Sequence, residues 1–139
     1  MKPPVETVRI NQQGRDQLIK LKRHTGIEHW NTLCRWALCV SLREPTEPGP
    51  AVQEGGGVEI PWRIFGGEMA DTLAAAFTWR AVKGEIPNVA DRRSKYFRDH
   101  LHRGLGYLAS GKKTRNIESL FDRWLPSAIP GLAEDSQTA

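Results

Sequence analysis

Cysteine is scarce in this chain: Cys34 and Cys39 are the only two in 139 residues. Five positions apart on what reads as one helix, they point to different faces. No bridge between them is expected, and a disulfide-stapled scaffold is excluded. Reduced thiols and a cytoplasmic location are the default that follows. Long apolar runs are missing too. Nothing approaches the ~20 apolar residues that span a bilayer, and Met-Lys-Pro-Pro-Val-Glu at the start lacks the apolar core of a secretion signal. No membrane partner is expected.

Catalytic constellations are equally hard to find. No Ser-His-Asp set or carboxylate pair stands out. Gly55-Gly56-Gly57 is not a phosphate loop, because no Gly-Lys-Ser/Thr follows it. Gly111-Lys112-Lys113-Thr114 has that ending without the first glycine or the preceding strand. His100 and His102, near Asp91 and Asp99, lie two apart, about 200° around a helix. They cannot share one ion, since helical zinc ligands sit three or four apart. Neither cysteine has a visible base beside it. These absences favour a binding protein without cofactor or metal over an enzyme.

What the chain does have is basic charge in blocks. Hydrophobic residues are 39% and charged residues 26%, a globular composition that fits a single domain. The net charge of +4 is unevenly spread. Residues 1–43 carry eight Lys/Arg against three Asp/Glu, and residues 88–115 carry eight against two. Between them, residues 44–59 carry four Glu and no base; after them, residues 116–139 carry one base against four acids. Two basic blocks set apart in this way form an electrostatic footprint for a polyanion.

The opening stretch organises the rest. Val5 to Ile10 alternates like a strand. Asn11 offers a helix N-cap, Gln12 to Thr25 reads as a basic helix, and Gly26 sits where a left-handed C-cap belongs. A second helix, about Glu28 to Leu42, carries Trp30, Leu33, Cys34, Ala37, Leu38 and Leu42 on one stripe. A lone strand is unstable. It either joins a small sheet within the chain or pairs with the same strand of a second copy. The latter is a ribbon-helix-helix arrangement able to enter a DNA groove. Val8 and Ile10 exceed what one short helix pair can bury. That places an oligomer interface on the strand together with Trp30, Leu33, Ala37 and Leu38.

The chain thus divides into a strand-helix-helix unit over 1–43, a Pro/Gly-rich loop over 44–57, an extended segment with three helices over 58–125, and a disordered tail over 126–139. The loop is long enough to be mobile or functional. Val58 to Ile64 alternates, with Pro61 confining it to a sheet edge or an irregular extended segment. Helices follow at about Glu68–Val82, with Met69, Leu73, Ala76, Phe77, Arg80 and Ala81 on one stripe, and at Val89–Ser110, with Phe97, Leu101, Leu105 and Leu108. Gly104 and Gly106 in the latter suggest close approach of another backbone. A last short helix is expected at Ile117–Leu125. The phosphate-binding candidates are Arg9, Arg15, Lys20, Lys22 and Arg23 in the first block, and Arg92, Arg93, Lys95 and Arg98 in the second.

Val8-Arg9-Ile10, Leu18 through Ile27, Arg35 through Leu42, and Phe97 through Gly104 together resemble the DndE family, the small subunit of bacterial DNA phosphorothioation systems. The resemblance runs over about residues 5–110. It implies a mainly α fold related to ribbon-helix-helix proteins, assembled as a tetramer. It implies binding to duplex DNA, preferentially nicked, and partnership with the other Dnd proteins, which replace a non-bridging phosphate oxygen with sulfur. The lysine-rich DNA surface of the family falls here on Lys20, Lys22 and Arg23, with some lysines replaced by arginine. Two alternatives stay open. A ribbon-helix-helix regulator needs base-reading side chains, for which Thr7 and Arg9 are few. A strand-nicking enzyme needs a nucleophile or metal.

Overall fold

A computed structural model describes residues 2–53 and 57–110. Its elements are β1 (Thr7–Ile10), α1 (Gln12–Thr25), α2 (Trp30–Arg43), β2 (Val58–Pro61), a one-turn α3 (Trp62–Gly66), a 3-10 turn (Gly67–Met69), α4 (Ala70–Lys83) and α5 (Ala90–Ala109). The architecture is mainly helical, with one small antiparallel sheet. The expected last helix and tail lie outside the described residues.

The caps of α1 form as their residue types dictate. The Asn11 side-chain oxygen accepts from the Gly14 amide at 2.7 Å. Gly26 takes φ +74° and its amide donates to the Lys22 carbonyl at 3.0 Å, the left-handed cap that glycine adopts without steric cost.

β1 pairs within its own chain. It runs antiparallel to β2 in the register Thr7↔Pro61, Val8↔Ile60, Arg9↔Glu59 and Ile10↔Val58. This corrects the argument for a strand shared between copies. Val8 is 1% exposed and Ile10 3%, so one chain buries both. The two strands close over a helical core and not over an isolated helix pair. Leu33, Ala37 and Leu38 of α2, expected at an interface, are each 0% exposed inside the same chain.

α5 is the central element. Phe97, Leu101, Leu105 and Leu108 are all buried, as their spacing requires. At Gly104 the helix meets α2 so closely that a Cβ would collide with the Ala37 carbonyl. Gly106, by contrast, faces only the Gln17 side-chain nitrogen at 4.0 Å. An aromatic cluster joins α3, α4 and α5: Phe97 packs edge-on to Trp62, Phe65 and Phe77 at 5.8, 5.8 and 5.4 Å.

Two expected faces rotate. The strand read from Val58 to Ile64 stops at Pro61, and the helical turn that follows swings Ile64 outward to 59% exposure. α4 starts after Met69, which is 49% exposed. It buries Leu73, Ala74, Phe77, Arg80 and Ala81, while Ala76 faces out.

Candidate nucleic-acid interface

Helix α1 turns Gly14, Leu18, Leu21 and Thr25 inward. Each residue advances about 100° around the axis, so its cations divide into three positions. Arg15 and Lys22, almost two full turns apart, share one flank. Arg23 sits at the outermost line. Lys20 occupies the opposite flank, where its ammonium donates to the Ala109 carbonyl at 3.0 Å. A cation at the carboxyl end of α5 meets unpaired carbonyls and the negative end of the helix dipole. Lys20 thus ties α1 to α5, while Arg15, Lys22 and Arg23 are exposed and, among the described residues, make no hydrogen bond or ion pair. Arg9, on the outer face of β1, stands 3.7 Å from Glu59 across the sheet, with both side chains largely exposed.

Two of the four candidates in the second basic block are engaged within the fold. Arg93 donates to the carbonyls of Ile86 (3.0 Å) and Pro87 (3.2 Å) and holds the turn before α5. Lys95 bonds Asp99 at 2.7 Å, and Asp99 also accepts from the Ala51 amide at 2.9 Å. Arg98 is half-buried, and its Nε is buried without a partner among the described residues. Arg92 alone of the four projects fully from the surface without a bond among the described residues. Lys112, Lys113 and Arg115 lie outside the described residues.

The cations that do most inside the molecule were not among the candidates. Arg80 is 4% exposed. It donates to Glu47 at 2.9 Å and to the carbonyls of Glu44, Pro45 and Thr46 at 3.2–3.3 Å. Arg103 donates to the Ser41 hydroxyl (2.8 Å), the Ser41 carbonyl (2.7 Å) and the Thr46 carbonyl (2.8 Å). The Tyr96 hydroxyl donates to the other Glu47 oxygen at 2.6 Å. Burial of the Glu47 carboxyl would raise its pKa, but the hydrogen bonds from Tyr96 and Arg80 together bring it below the ordinary value. The front of the Pro-rich loop is therefore clamped onto α4 and α5. The signal in the sequence was Arg80 itself: a cation on an apolar stripe has to find acceptors.

Beneath this clamp lies His100, 0% exposed, its Nδ1 2.8 Å from the Ser41 hydroxyl. Burial, with Arg103 and Arg80 nearby, lowers its pKa to about 4. The Ser41–His100 pair has the separation of a nucleophile and its base, but both residues are buried and Arg103 already donates to the Ser41 oxygen, so no substrate reaches it. His102 has a different task. Its Nε2 accepts from the Asn11 amide at 3.1 Å while Nδ1 faces the Arg98 carbonyl at 2.7 Å. The first contact requires an unprotonated Nε2, which fixes a neutral ring with its proton on Nδ1. Burial likewise lowers its pKa. Burial pushes the Cys34 thiol up to about 12, which leaves it protonated and inert. Among the described residues no three His, Cys, Asp or Glu side chains converge on a metal position, and no helix is long and apolar enough to cross a membrane.

The fold and its exposed cations define a small helical protein that keeps one basic helix face open. The chain belongs to the DndE family: the family model described as DNA sulphur modification protein DndE matches residues 7–116. That span includes every element described above, so involvement in DNA sulfur modification follows from membership. No curated protein matches the chain.

Proposed function

We propose that this protein is a non-catalytic DNA-binding subunit of a phosphorothioation complex, which grips duplex DNA, preferentially at nicks, through the exposed face of α1. The observation that supports this reading is the division of labour among cations. Arg80, Arg93, Lys95, Arg103 and Lys20 are committed to internal acceptors, whereas Arg15, Lys22 and Arg23 stand together, exposed and without bonds among the described residues. Unpaired cations spaced along a rigid helix suit phosphate contacts, which position a protein on DNA without reading sequence. Arg92 and Arg9 are secondary contributors, the latter shared with Glu59. The other Dnd proteins are the partners, and the working form is an oligomer, a tetramer in the family resemblance.

The test is binding to intact and nicked duplex across a salt series. Each phosphate contact contributes about 0.9 to the slope of log affinity against log salt. Arg15→Ala/Lys22→Ala/Arg23→Ala should flatten that slope by two to three such contacts, while Lys20→Ala should leave it nearly unchanged and loosen the α1–α5 junction. A folded triple variant that binds like wild type would sink the proposal. Plasmid nicking assayed with and without EDTA separates the non-catalytic reading from a strand-nicking one.

A further inference from the structure

The end of α5 lies against α1, where Lys20 reaches the Ala109 carbonyl at 3.0 Å, so residues 111–139 leave the fold beside the basic helix. Beyond residue 115 that stretch is acidic: Glu118, Asp122, Glu134 and Asp135 stand against Arg123 alone. Its apolar residues Ile117, Leu120, Phe121 and Trp124 recur at three- and four-residue spacing, and Glu118 and Asp122 lie four apart, the pattern of an apolar stripe with an acidic flank. The face of α1 has the complementary makeup. Ile19 is 37% exposed. At about 100° per residue it falls between the flank of Arg15 and Lys22 and the outermost line of Arg23. The one acid of α1, Asp16, accepts from Gln12 at 2.9 Å. An apolar side chain among three cations gains nothing from a phosphate backbone, which answers only charge. It gains from a segment that brings apolar and acidic groups together.

We infer that the acidic stretch 117–125 of this chain docks on the exposed face of α1 and competes there with DNA. Charge and the place where α5 ends select that occupant. The six steps from Ser110 to Asn116 reach up to about 20 Å, and Arg15 to Arg23 covers about 12 Å of helix, so the tether is long enough. Lys112, Lys113 and Arg115 within the tether are repelled by the α1 cations, whereas the acids beyond them are attracted. Glu118 and Asp122 meet the cations of α1, and the apolar stripe covers Ile19. A segment on so short a tether is present at an effective concentration in the millimolar range, so a contact of only about millimolar strength holds it in place about half of the time. Duplex DNA has to displace it, and the stretch thereby sets a threshold on binding through α1.

The inference rests on the DNA reading above, and the experiment separates the two. All variants are made in the full chain, with circular dichroism as the folding control. Carbodiimide coupling of amines to carboxylates, read by denaturing electrophoresis and peptide mass spectrometry, should join Lys22 to Glu118 or Asp122 in a product with the mass of one chain. Excess duplex should abolish that product. Ile19→Ser alters no charge, yet it should abolish the coupling and tighten duplex binding about two- to tenfold at low salt. Glu118→Gln/Asp122→Asn should tighten binding by as much, whereas Glu134→Gln/Asp135→Asn, an equal change of charge outside the stretch, should have a smaller effect. No coupling, coupling only in a product of twice the mass, or an unchanged affinity in Ile19→Ser overturns the docking and leaves DNA binding by α1 standing. A duplex affinity that ignores Arg15→Ala/Lys22→Ala/Arg23→Ala overturns the DNA reading, and the competition with it.

Discussion

The buried imidazole of His100 makes stability depend on pH in a definite window. Its pKa falls from 6.5 to about 4 on folding, so between those values the unfolded chain binds a proton that the folded chain refuses. Stability therefore rises with pH through this range, is complete above 6.5, and levels off below 4. The depressed value follows from the site: the ring is sealed under the loop with Arg103 and Arg80 nearby, and Glu47 and Asp99 only partly oppose them. The difference corresponds to ~3 kcal/mol between pH 7 and pH 4, at 1.36 kcal/mol per unit. That is a large share of the ~5–15 kcal/mol of a typical domain. Glu47, whose pKa is lowered on folding, and His102 push in the same direction, so the His100 contribution has to be isolated. His100→Gln keeps a group able to bond Ser41 and removes the titration. Urea unfolding of both proteins from pH 7.5 to 4 should show the wild type losing ~3 kcal/mol more than the variant. Curves that run parallel would refute the argument, because they would mean that the ring is protonated in the folded state or is not buried there.

Four further substitutions probe the packing. Gly104→Ala should destabilise the fold by about 1–3 kcal/mol or more despite the better helix former, because its Cβ meets the Ala37 backbone. Gly106→Ala, in open space, should stabilise it by about 0.5–1 kcal/mol, and thermal melts of the pair read the contrast directly. Arg80→Met should cost about 2–3 kcal/mol in chemical unfolding and expose residues 44–47 to proteolysis, since the Glu44 and Pro45 carbonyls lose the donor Arg80 gives them, and Thr46 and Glu47 keep only Arg103 and Tyr96. Glu47→Gln should cost under about 1 kcal/mol, the carboxylate being half exposed.

Local signals in this sequence were readable because they depend on neighbours a few residues away. Asn11 and Gly26 announced both ends of α1, and the stripe from Phe97 to Leu108 announced the buried side of α5. Gly104 marked a close backbone approach. Partnerships across the chain were not readable. Nothing local in Val5 to Ile10 distinguishes pairing with Val58–Pro61 from pairing with another copy, since both present the same alternating face. The turn of Ile64 and the outward face of α4 depended on where one helix ended and the next began, a matter of two residues around Gly66 and Gly67.

Which cations stay exposed was not legible for a related reason, and the acidic loop supplies it. Block charges identified where cations are dense but not which of them are spent. Residues 44–59, with four Glu and no base, looked like a segment that DNA would repel. In the fold, the loop's Glu47 and its backbone carbonyls consume Arg80 and Arg103 from two different helices. Asp99 takes Lys95, and the turn at Ile86–Pro87 takes Arg93. Arg93, Lys95 and Arg103 of the second block thus become clamps that hold the loop and the start of α5. α1 is placed differently: its neighbours along the chain are β1 and a short turn, and among the described residues Lys20 is the one exposed cation of α1 that reaches a carbonyl, at the far end of α5. Arg15, Lys22 and Arg23 are left exposed and without bonds among the described residues. A basic surface of this kind is defined less by how many cations a segment holds than by which carbonyls and carboxylates lie within reach of each one.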